Sequence, residues 1–96
     1  MTVAFHRLAE QELFEAVEHY EGQANGLGAE FLQVVEEGCE LLIRHPKAAR
    51  IVTADARRLV LKRFPYNLVY SFVDGELRIL AVAHQTRSPS YWLRRS

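Results

Sequence analysis

Between Leu8 and Glu21, Ala9, Leu13, Ala16 or Val17, and Tyr20 recur at helical spacing, separated by glutamates and other polar residues. The spacing predicts an amphipathic helix with a solvated acidic face. No Ser, Thr, Asp or Asn precedes it, so a poor N-cap is expected. The short run TVAFH ahead of it reads as a first strand. GQANGLG breaks the helical pattern. A second helix is expected from Leu27 to Arg44, with Phe31, Val35, Gly38 and Leu42 on one stripe and Leu41 widening it. A glycine inside a helix costs about 1 kcal/mol relative to alanine. Close approach of another backbone, that of the first helix, would explain Gly38. Arg44 and His45 suit the negative end of this helix, and Pro46 ends it.

Beyond Pro46 the pattern shortens toward a period of two. In RRLVLKRF, Leu59 and Leu61 point one way, and Arg58 and Lys62 the other. In YNLVYSFV, Leu68, Tyr70 and Phe72 share a face, and Asn67, Val69 and Ser71 share the opposite one. Val73-Asp74-Gly75-Glu76 is a hairpin signal, because Asp-Gly tolerates the positive φ angles of a tight turn. ELRILAVAH returns as a strand that is apolar on both faces around Ile79–Ala83, as a central strand should be. The expected architecture is α+β, with two packed helices covering one face of a small, mostly antiparallel sheet that the N-terminal strand joins. Arg58, Lys62 and Asn67 then fall on the face away from the helices.

The 96 residues are expected to form one domain, 1–96. A lone cysteine, Cys39, excludes an internal disulfide and fits a reducing compartment, where it reads as a packing residue. No secretory signal and no membrane span are expected, which points to the cytoplasm. His6, His19 and His45 have no ligand spacing with one another or with Cys39, so neither a metal nor a cofactor is expected. The net charge is zero, yet it is split. Residues 1–43 carry nine acidic residues against Arg7, and residues 44–96 carry eleven Lys and Arg against three acidic residues. That predicts a dipolar molecule with a cationic working surface. A plain nucleic-acid-binding module is disfavoured by the neutral total and by the lack of a recognition-helix pattern among the arginines.

Three stretches carry a family likeness: ELFEAVEHYEGQANGLGAEFLQVVEEG, RRLVLKRFPYNLVYSF and ILAVAHQTRSPSYWLRR. With them the sequence resembles, over nearly its whole length, the RelE/ParE toxins of bacterial type II toxin–antitoxin pairs. The specific parts are the Phe64-Pro65-Tyr66 corner and the ending Ala-Val-Ala-His…Arg…Pro…Tyr-Trp, which lie closer to the ParE, or plasmid stabilisation, branch. The resemblance implies a helical hairpin against a small antiparallel sheet. It also implies growth inhibition, silenced by a cognate antitoxin in a heteromeric complex. One branch cuts messenger RNA on the ribosome, and the ParE branch poisons DNA gyrase.

Metal-free RNA cleavage needs a base for the 2′-hydroxyl, an acid for the leaving oxygen, and cations for the phosphorane. By resemblance, Arg58, Arg87 and Tyr91 match positions of the RNA-cutting branch, and His84 is the further acid–base candidate. Val60, Asn67 and Gln85 stand where that branch carries cations. Each missing donor of this kind costs about 3 kcal/mol of activation energy. The expected function is therefore gyrase inhibition without catalysis, with a ribosome-dependent mRNA endonuclease as the alternative. Arg58, Lys62, His84, Arg87, Tyr91 and Trp92 are the expected target-binding residues. Arg94 and Arg95 read as mobile tail charges, and Trp92 also suits packing of the tail onto the sheet.

Overall fold

The computed structural model describes residues 2–95. Strand β1 (Thr2–Phe5) leads into helices α1 (Arg7–Gln23) and α2 (Leu27–Arg44), and β2 (Arg50–Ile51), β3 (Arg57–Val60), β4 (Tyr66–Val73) and β5 (Glu76–His84) follow. The sheet order is β1-β5-β4-β3-β2. β1 runs parallel to β5, and the other pairings are antiparallel. This is the expected α+β fold of two helices on one face of a mixed sheet. None of the described helices is long and apolar enough to cross a membrane.

The helices bury the expected stripes. Ala9, Leu13, Ala16 and Tyr20 of α1 and Phe31, Val35 and Leu42 of α2 pack on Leu68, Tyr70, Leu77, Ile79 and Val82 of the sheet. At one end Tyr20, Phe31, Phe64 and Tyr66 form a cluster with ring centroids 4.9–6.1 Å apart. The cap of α1 departs from expectation. His6 serves, its Nδ1 accepting from the Leu8 amide at 3.1 Å. α2 is capped from its neighbour, since both oxygens of Glu21 accept amides, from Gly26 at 2.9 Å and from Gly28 at 3.0 Å. A carboxylate at that positive helix end is favourable.

Two packing expectations need correction. Gly38 faces the sheet and not α1, because a Cβ there would meet the side chains of Leu68, Leu59 and Leu61 at 3.1–3.3 Å. The backbone approach between helices occurs at Gly28, where a Cβ would lie 2.6 Å from the Val17 carbonyl oxygen. Leu41 does not widen the buried stripe; it is exposed, and Cys39 is buried instead. Burial, reinforced by the charge of Glu36, lifts the Cys39 thiol to about 11. Thiol reagents near neutral pH should therefore label the folded chain only on the timescale of its unfolding, with urea accelerating the reaction. Rapid stoichiometric labelling of native protein would contradict this placement.

β2 has no counterpart in the sequence pattern, since two residues carry no periodicity. Tertiary bonds place it. Arg57 Nη1 donates to the carbonyls of Lys47 at 3.1 Å and Ala49 at 2.9 Å, and the Tyr70 hydroxyl donates to Pro46 at 2.7 Å. The 46–49 connection is thereby pinned, and Arg50 is delivered opposite Arg58.

β5 is apolar on both faces because both are covered. A register shift between Val69 and Tyr70 pairs Val69 with Ala81 and Tyr70 with Ile79, leaving Leu80 as an extra residue. Leu80 and Ala81 then both join a second core of Val69, Ala83, Ala56 and Trp92 on the face away from the helices. That face is not fully open, as its middle lies under the C-terminal segment.

Candidate functional site

β1 pairs only with Glu76–Ile79, so the edge of β5 beyond Ile79 has no strand beside it. Side chains close it. Glu12 Oε1 accepts the Val82 amide at 3.1 Å, and Arg95 Nη1 donates to the Leu80 carbonyl at 3.0 Å. Glu12 and Arg95 also form a two-pronged ion pair, with contacts of 2.9 and 3.1 Å, and their side chains are only 14% and 11% exposed. The Tyr91 hydroxyl donates to Glu12 Oε2 at 2.9 Å. Arg95 is therefore an anchor and not the mobile tail charge its position suggests; Arg94 is exposed.

This clamp orients the segment that follows β5. Trp92, 5% exposed, fills the second core. The Arg87 guanidinium lies 3.8 Å from the centre of the Tyr91 ring, and that of Arg95 lies at 4.9 Å. Tyr91 is a platform with its hydroxyl spent. Burial and the hydrogen bond to Glu12 push its phenol up to about 12. A folded value above the unfolded 10.0 means its stabilising share is complete below about pH 10 and lost as pH rises through about 12. Tyr20, Tyr66 and Tyr70 are raised as well, chiefly by burial. Stability should fall across that alkaline window, and Tyr91→Phe should make the fall shallower. Urea unfolding at several alkaline pH values checks this; an identical slope in the variant would contradict it.

Beside the clamp, β2, β3, β4, the end of β5 and the tail enclose a cleft of about 500 Å³. Arg50, Arg58 and Arg87 line it, with Asn67, Gln85 and Ser88 as uncharged polar neighbours. Val69, Ala83 and Trp92 supply its apolar part. Among the described residues, ion pairs form at Arg63–Glu30, Arg78–Glu76 and Arg95–Glu12, and none involves a cleft arginine. Arg50 and Arg58 stand directly opposite each other in the antiparallel register. Like charges so placed are destabilising. Arg58 Nε is buried with no hydrogen-bond partner. An orphan of this kind costs about 1–3 kcal/mol. The cleft is thus built with donors in excess of acceptors.

Of the expected binding residues, Arg58, His84, Arg87 and Trp92 meet at this cleft. Lys62 is exposed beyond the end of β3 and does not line it. Tyr91 supports the cleft through Arg87 without lining it. His84 pairs with Tyr66 in the register, and its ring packs edge-on against the Tyr66 ring at 5.1 Å. Its Nδ1 accepts from the Thr86 amide at 3.1 Å and lies 2.7 Å from the Thr86 hydroxyl. That leaves Nε2 as its free nitrogen. Among the described residues, no group of three His, Cys, Asp or Glu is placed to hold a metal.

Sequence reasoning missed Arg50 and Glu12. Nothing in the local pattern marks Arg50. Glu12 did leave a signal, since it lies three residues after Ala9 and four before Ala16, on the buried stripe itself. A carboxylate on that stripe requires a partner.

The overall fold matches a structure described as "Chromosomal ParDE TA system from P. aeruginosa", with a TM-score of 0.72 and 22% identity, covering 88% of this chain and 95% of that one. A search of curated proteins gave no match. The family described as "ParE toxin of type II toxin-antitoxin system, parDE" matches residues 3–89. That span runs from β1 into the tail and takes in the whole sheet, both helices and all three cleft arginines, so this chain belongs to the ParE toxin family.

Proposed function

We propose that this chain is a cytoplasmic toxin that inhibits DNA gyrase without catalysis and is neutralised by a cognate antitoxin. One observation carries the reading: of the two groups suited to proton transfer, Tyr91 has its hydroxyl bound to Glu12, which leaves His84 Nε2 as the lone acid–base atom at the cleft. Tyr91 donates its hydroxyl to Glu12, and His84 has Nδ1 at Thr86 and its ring on Tyr66. RNA cleavage needs an acid and a base together with the cations. Here Arg50, Arg58 and Arg87 stand with one imidazole, amides, a hydroxyl and apolar carbon, and no second acid–base group is among the described residues that line the cleft, an arrangement suited to recognition. Arg58 and Arg87 are the target-contacting residues, with Tyr91 and Trp92 holding them in place.

The test incubates purified toxin with gyrase and supercoiled DNA and, separately, with translating ribosomes. Trapped cleaved DNA, reduced at least tenfold by Arg58→Gln, is the expected result. Codon-position cuts in message, lost in His84→Ala, would replace this reading with the endonuclease one.

The antitoxin segment is expected to offer apolar and acidic residues together. A groove of about 320 Å³ between β1 and the two helices is lined by Val3, Phe5, Leu13, Leu32, Val35 and Ile43, and it suits apolar anchors. The basic cleft suits the acidic residues. Antitoxin affinity should therefore weaken as ionic strength rises. A salt-independent affinity would remove the electrostatic part of this proposal.

A further inference from the structure

No described carboxylate neutralises the Arg50–Arg58–Arg87 cleft. Arg58 Nε is buried without an acceptor, Arg50 faces Arg58 across the β2–β3 pair, and no described carboxylate pairs with any of the three arginines. A single carboxylate brings one charge and two oxygens, enough for one guanidinium fork. Three arginines drawn from β2, β3 and the tail into one cleft match an anion that repeats. The cleft also offers Asn67, Gln85 and Ser88 as neutral donors, and the exposed Ile51 and Pro89 as an apolar surface. Sugars and bases need such a surface between phosphates. The acidic residues concentrate in the helical half of the chain, so a polyanion is repelled from the helices and directed to the sheet side.

We propose that this cleft binds the phosphodiester backbone of a DNA strand, which on the gyrase reading above is the strand that gyrase holds. The Arg50, Arg58 and Arg87 guanidinium groups donate to phosphate oxygens, and the negative charge relieves the facing arginines. Arg87 is preset for this by its stack on Tyr91. Contact with the backbone alone predicts little sequence preference.

The test uses the full-length toxin, freed of antitoxin, and a short fluorescent oligothymidylate, with no gyrase present. Three phosphate contacts on a single strand predict that log K falls with log salt with a slope of about −2. Arg58→Gln, Arg50→Gln and Arg87→Gln should each weaken binding by about tenfold and flatten the slope by about 0.7. Arg94→Gln, outside the cleft, should leave both unchanged. Arg58→Gln should also keep or raise the melting temperature, since it removes the like charge that faces Arg50; a loss of DNA binding in a folded variant is then a loss of contact.

No binding at low salt would overturn the proposal, as would equal binding by wild type and Arg58→Gln. Inorganic phosphate competing as well as the oligonucleotide, mole for mole of phosphate, would reduce the cleft to a small-anion site. A glutamate-rich peptide binding as tightly as DNA would assign it to an acidic protein partner. The two readings fail separately. DNA binding without gyrase inhibition would end the gyrase reading and leave this site standing. Gyrase inhibition that persists in an Arg58→Gln chain unable to bind DNA would end the role assigned to this site and leave the gyrase reading.

Discussion

Alanine at Gly28 is expected to destabilise the protein by about 2–3 kcal/mol, the cost of forcing extra atoms into a full contact. The direction opposes helix propensity, which favours alanine by about 1 kcal/mol. The new Cβ would lie 2.6 Å from the Val17 carbonyl oxygen and 3.0 Å from Glu21 Cβ and Oε1. A backbone carbonyl inside α1 cannot step aside, so the two helices must separate. Separation also pulls Glu21 from the Gly26 and Gly28 amides that it caps. The melting temperature should fall by roughly 10–20 °C for a domain of this size. Gly22 supplies the contrast within the same pair of helices. It lies in α1, and a Cβ there would meet nothing within 4 Å. Gly22→Ala should therefore stabilise by about 0.5 kcal/mol, following propensity. Thermal unfolding of the two variants side by side decides the matter. Two shifts of the same sign would mean that the α1–α2 contact at Gly28 is not as described.

Glu12→Ala is expected to cost about 3 kcal/mol, because removing one member of a buried pair leaves the other charge uncompensated. Four bonds end on this carboxylate: one from the Val82 amide, one from the Tyr91 hydroxyl and two from Arg95. Their loss frees the tail, and with it the stack that carries Arg87. The signature is local as well as global. Trypsin should cut after Arg87 and Arg94 well below the melting temperature of the variant. Arg95→Met alone should cost less than Glu12→Ala, since the Glu12 carboxylate keeps its bonds from the Val82 amide and the Tyr91 hydroxyl. The double variant should cost less than the two single changes added together, because the sites share their partner. Strict additivity, or a tail as protease-resistant as in the wild type, would show that Glu12 does not organise the segment.

Much of the fold was legible because it repeats. Ala9, Leu13, Ala16 and Tyr20 announce α1 at a period near 3.6, and the Asp74-Gly75 turn fixes the β4–β5 hairpin without reference to the rest of the chain. Signals that depend on distant partners were not legible. β2 exists because Arg57 and Tyr70 hold the chain before it, a relation no local window contains. Gly28 and Gly38 look alike as helical glycines, and only the packing reveals that the first meets a backbone and the second meets leucines. In the candidate site, Arg58 and Arg87 could be named from alternation and likeness, but not their shared cleft with Arg50. Tyr91 shows the limit most plainly. Its match to a tyrosine of the RNA-cutting branch suggested a catalytic hydroxyl, whereas a glutamate 79 positions away occupies that hydroxyl.

The ion pair joining α1 to the tail spans 83 positions. Chains emerge during synthesis at about 5–20 residues per second, so Arg95 follows Glu12 by roughly 4–17 s. Until then the nascent molecule has its helices but neither its anchored tail nor a finished arginine-lined cleft. The cleft is the last surface to be completed, and a partner that binds during synthesis meets the helices first.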